Sequence, residues 1–162
     1  MNKTEYNQNI IFYLNLGLSA TFSSLTVDYY IDFFDQKIKA LKTINIDEYQ
    51  QIIDVIFESN IHFSKSDKIK ETLILKLLDR KKLKAFRTQS INKIFEKSIV
   101  KGYKKLTKKL IKEVDLKIIL FSKNELRPTN LYKCLPILIK DKRFKVTNHI
   151  LEYMIDCYSF SN

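Results

Sequence analysis

Glycine and proline are nearly missing from this 162-residue chain, each occurring only twice. All-β folds need both residues at their many turns, so the shortage points to long helices joined by short polar loops. Cysteine is as scarce. Cys134 and Cys157 are too few for a disulfide scaffold or a structural zinc site. They read as two free thiols of the cytoplasm or another reducing intracellular compartment. Histidine is limited to His62 and His149, and HExxH, CxxC and carboxylate-rich loops are all missing, so no metal or other cofactor is expected. The two glycines, Gly17 and Gly102, stand too far apart for a phosphate-binding loop, and there is no GxSxG elbow. Binding is therefore the leading expectation, ahead of catalysis. No apolar stretch reaches the ~20 residues that span a bilayer. Residues 10–20 look like a short signal-peptide core, but Asn15 interrupts them and Glu5 sits in the region before them.

What is abundant is apolar and basic. Hydrophobic residues make up 45% of the chain, enough to bury a core in one domain spanning 1–162. The net charge is +11, unevenly distributed. Residues 1–60 hold four basic and eight acidic side chains, whereas 61–162 hold 25 and ten. Within 61–112 the balance is 17 to four. A coding bias toward lysine would raise it everywhere and does not explain an acidic first third.

Apolar residues recur at helical spacing through most of the chain. The pattern predicts helices over 4–18, 25–42, 46–57, 66–78, 88–100, 103–122 and 144–158, and an all-α fold of about seven or eight helices. Either an irregular bundle or stacked helical hairpins of the HEAT type would satisfy it. Asn45 followed by Asp47 and Glu48 matches a capping box, and Gly102 is placed to end a helix. Pro136, inside an apolar run, suggests a kink, a restart or a short extended piece.

Two basic clusters stand out. Arg80, Lys81, Lys82, Lys84 and Arg87 fall between predicted helices. Lys101, Lys104, Lys105, Lys108, Lys109 and Lys112 fall on the 103–122 segment or just before it. On that helix Lys105, Lys108 and Lys112 share a stripe flanked by Lys104 and Lys109, a ridge about three turns long. Lys101 joins the stripe only if the helix runs back through Gly102. Such a ridge suits RNA or DNA phosphates. With four arginines in the chain, sequence-specific base reading is not expected. Phe86 and Tyr103 lie beside the clusters as candidate stacking residues. The rival expectation is a protein-binding module such as an inhibitor, immunity protein or adaptor, which meets an acidic partner or uses Tyr29, Tyr30 or Phe33 as anchors.

Near the C-terminus, Arg143 and His149 stand five residues apart. This resembles the Arg-x(4–6)-His motif of HEPN ribonucleases, an all-α family that cleaves RNA without a metal. The resemblance covers seven residues and implies that Arg143 and His149 act where the RNA backbone is cut. Phe144 occupies the place after the arginine, where the family usually has a polar residue.

Overall fold

The computed structural model describes residues 2–19, 27–41, 45–59, 66–80, 86–114, 131–145 and 152. These residues are all-α, and no strand occurs among them. Seven α-helices are described: α1 (Lys3–Ser19), α2 (Val27–Ala40), α3 (Ile46–Glu58), α4 (Ser66–Arg80), α5 (Thr88–Val100), α6 (Lys104–Leu110) and α7 (Leu135–Ile139). A 3-10 turn, Leu131–Lys133, precedes α7. The helices divide into two compact units, Met1–Phe86 and Arg87–Asn162.

In the first unit the helix contacts close a ring, with α1 against α2 and α3 and with α4 against both of those. The predicted stripes supply the core. Leu14, Phe34, Ile38, Ile52, Ile53, Ile56, Ile69, Leu73 and Leu77 are all buried. Each fully buried isoleucine of α3 contributes about 2 kcal/mol through the apolar surface it removes from water. The start of α3 is a capping box. The Asn45 side chain accepts from the Glu48 backbone N–H at 2.8 Å, and the Asn45 N–H donates to Glu48 Oε2 at 2.9 Å. The other Glu48 oxygen accepts from Asn7 Nδ2 at 3.0 Å, which ties the cap to α1 inside the core. The end of α3 is held from α4: the buried Lys70 ammonium donates to the Ser59 carbonyl.

In the second unit α5 packs on α6, α6 on α7, and the 3-10 turn on both α5 and α7. Ile91, Ile94, Phe95 and Ile99 bury one face of α5. Gly102 ends the helix as predicted, and its φ of 72° is the left-handed conformation that glycine adopts without a Cβ clash. The Gly102 N–H donates to the Ile99 carbonyl at 3.0 Å and the Tyr103 N–H to the Ser98 carbonyl at 2.8 Å, the bond pair of a Schellman motif.

One sequence expectation is corrected here and another is narrowed. The 103–122 periodicity does not produce one long helix, because α6 ends at Leu110 and residues 111–114 form a turn and a bend. Of the kink, restart or extended piece expected at Pro136, the structure shows the restart, a new helix that begins at Leu135 after the 3-10 turn. The proline sits in the first turn of α7, where its missing N–H breaks no intrahelical bond. Most of the predicted 144–158 helix lies outside the described residues.

Candidate nucleic-acid interface

The α6 sequence KKLTKKL determines its own orientation. Successive residues advance by about 100°, so Lys104, Lys108, Lys105 and Lys109 fall within an arc of about 140°. The opposite side carries Tyr103, Leu106, Thr107, Leu110 and Ile111, all buried. Lys104, Lys105, Lys108 and Lys112 are exposed and Lys109 is half-buried. The helix proper is about 10 Å long, so the ridge spans about two turns, with Lys112 on the turn that follows. Lys101 is exposed at the C-terminal end of α5. Gly102 breaks the helix before α6, so Lys101 is not part of the α6 stripe; it stands instead where a helix C-terminus favours a cation.

A buried polar seam fixes the face in place. Ser98 Oγ on α5 lies 2.9 Å from Thr107 Oγ1 on α6, which lies 3.4 Å from Cys134 Sγ at the entry to α7. All three residues are fully buried. Each hydroxyl also meets a carbonyl of its own helix, Ser98 that of Phe95 and Thr107 that of Tyr103. Cys134 is thus a buried thiol in no disulfide. Cys157 lies outside the described residues.

Arg143 holds the end of α6. Its guanidinium donates to the carbonyls of Ile111 at 2.6 Å and Val114 at 3.1 Å. Nε and NH2 donate to the Asp141 carboxylate at 3.0 and 2.7 Å, and the Arg143 backbone N–H donates to it as well. These bonds lower the Asp141 pKa to about 2, the side-chain bond to Arg143 contributing most. The side chain offered as a catalytic candidate therefore caps a helix. His149 lies outside the described residues, so no geometry relates it to Arg143.

The first basic cluster is described only at its ends. Arg80 is the last residue of α4, and Lys81, Lys82 and Lys84 lie outside the described residues. Arg87 is exposed at the N-cap of α5 and makes no capping hydrogen bond with its side chain. Phe86 and Tyr103 are buried, at 6% and 2% exposure, and are not surface stacking residues. Phe86 instead meets Tyr49 edge-on, with ring centroids 6.3 Å apart. Sequence reasoning missed Tyr132, which is 50% exposed with Lys133 Nζ 5.9 Å from its ring centroid. The only signal was a Tyr-Lys pair between two prolines.

Among the described residues no three His, Cys, Asp or Glu side chains come together to hold a metal, and no helix is long and apolar enough to cross a membrane. No protein-family model, curated protein or solved structure matches the chain.

Proposed function

We propose that the protein binds nucleic acid, RNA or DNA, through phosphate contacts of the lysine face of α6 and the cations beside it. The observation that carries this reading is the division of α6 into a buried side and a side of four lysines, with the exposed Lys112 on the turn that follows. The Arg87–Asn162 unit supplies the wider field, with 17 basic and seven acidic side chains. Each lysine that neutralises a phosphate releases condensed counterions, which gives affinity with little sequence preference.

The test is binding to a labelled single strand and a labelled duplex over a salt series, for wild type and for Lys101/Lys104/Lys108/Lys112→Gln. All four side chains are exposed, so the variant keeps its core. If each contacts one phosphate, the log–log salt slope falls by roughly 3 to 4 units. An unchanged slope, or no binding by wild type, removes the reading.

A second reading, a protein-binding module, is favoured by one feature of α2. Tyr29 is 50% exposed and stacks on Phe33 at 6.4 Å, with Lys37 Nζ 5.4 Å from the Phe33 centroid. Ordered, exposed aromatics of this kind anchor interfaces. A partner retained by wild type and lost by Tyr29→Ala, with nucleic-acid binding unaffected, would establish it.

A further inference from the structure

We propose that the ligand of the lysine face is single-stranded nucleic acid and that Tyr132 is the platform on which one of its bases stacks. This rests on the phosphate-binding reading and adds a substrate class to it. An unpaired base offers both faces to a stacking side chain, whereas bases inside a duplex are already stacked on their neighbours. A phosphate-tracking surface that also presents an exposed aromatic therefore suits single strands. Among the described residues of the second unit, Tyr132 is the one large aromatic at the surface. Phe95 and Tyr103 are buried, and Phe144 is half-buried.

The position of Tyr132 is determined by its neighbours. It lies in the 3-10 turn Leu131–Lys133, two residues before Cys134, which is about 4 Å of axial travel. Cys134 Sγ is 3.4 Å from Thr107 Oγ1, and Thr107 lies between Leu106 and Lys108 on α6. The residue that follows the turn is thus held on the buried side of the helix that carries the lysines. The 3-10 turn also packs on α5, so two helices support the platform.

The electrostatics agree with the geometry. Lys133 Nζ sits 5.9 Å from the Tyr132 centroid, within cation–π range, and can turn to a phosphate when a base covers the ring. Lys140, Lys142 and Lys145 follow in the same segment and are exposed. Its one acid, Asp141, is occupied by Arg143. A strand lying over the 132–145 segment would meet Lys133, Lys140, Lys142 and Lys145 along its backbone and an aromatic plane for one base.

The experiment compares wild type, Tyr132→Ala and Tyr132→Phe on labelled oligothymidine, oligouridine and a duplex of equal length, each over a salt series. Tyr132→Ala should weaken binding to the single strands by roughly 5- to 150-fold, the range for losing one base–aromatic stack. The duplex affinity and the salt slope should stay unchanged, and Tyr132→Phe should keep wild-type binding. If Tyr132→Ala leaves single-strand affinity unchanged while wild type keeps a steep salt slope, stacking is overturned and the phosphate reading stands. Equal losses on strand and duplex also overturn stacking. Wild type that binds neither removes both readings.

Discussion

Arg143 shows how a motif read along the chain can have a different meaning in space. In sequence it stands out for its distance from His149. In the structure its donors go to Asp141 and to the carbonyls of Ile111 and Val114, up to 32 positions away. No local pattern announces such a contact. Asp141 gives it a pH signature. Its pKa is depressed from 3.8 to about 2, so the group contributes stability that is present above pH 3.8 and lost as the pH falls through about 2. An NMR titration of the Arg143 Nε–H should therefore show a midpoint near 2, which Asp141→Asn abolishes. A midpoint near the ordinary value would mean that the clamp is not held in solution. Arg143→Gln should cost about 1 kcal/mol in denaturant unfolding, modest because the side chain is partly exposed.

At the scale of the element, the first five helices fall within two residues of the bounds their spacing predicts, and the 103–122 helix does not. Asn45 and Gly102 were readable because each acts through its own backbone neighbourhood. Gly102→Ala forces a Cβ into the left-handed region and should cost about 1–2 kcal/mol, measured as a shift in the urea midpoint with an unchanged m-value. Asn45→Ala removes one side of the capping box and should cost about 1 kcal/mol. A loss well below this would mean that Asn7 already holds Glu48 in place. The end of α6 was not legible. Leu106, Leu110 and Val114 continue the helical spacing, and all three are buried, so periodicity identified the buried residues correctly. It could not show that the backbone stops being helical, because a turn can bury the same side chains. Arg143 takes the Ile111 carbonyl, which in a longer helix would accept from the N–H four residues on.

At the scale of the whole molecule the question is whether the lysines act by position or only by number. The all-α class followed from composition and spacing, because too few turn residues remain for anything else. The charge asymmetry was equally plain, but its assignment to residues needed the structure, since Phe86 and Tyr103 were candidate stacking residues and both are core. A matched control separates position from number. Lys3, Lys39, Lys68 and Lys76 are exposed and belong to the Met1–Phe86 unit. Replacing all four with Gln removes as much charge as the α6-face variant does. If binding reflects only the net charge of +11, both variants should lower affinity alike, through the long-range field. If phosphates are neutralised at the α6 face, the two should differ. The control should keep the wild-type salt slope and lose a little association rate, while the α6-face variant should lose roughly 3 to 4 units of slope. Equal slopes in the two variants would show that the lysine face of α6 is a solubilising surface, and the search for a partner would then move to Tyr29 and Phe33.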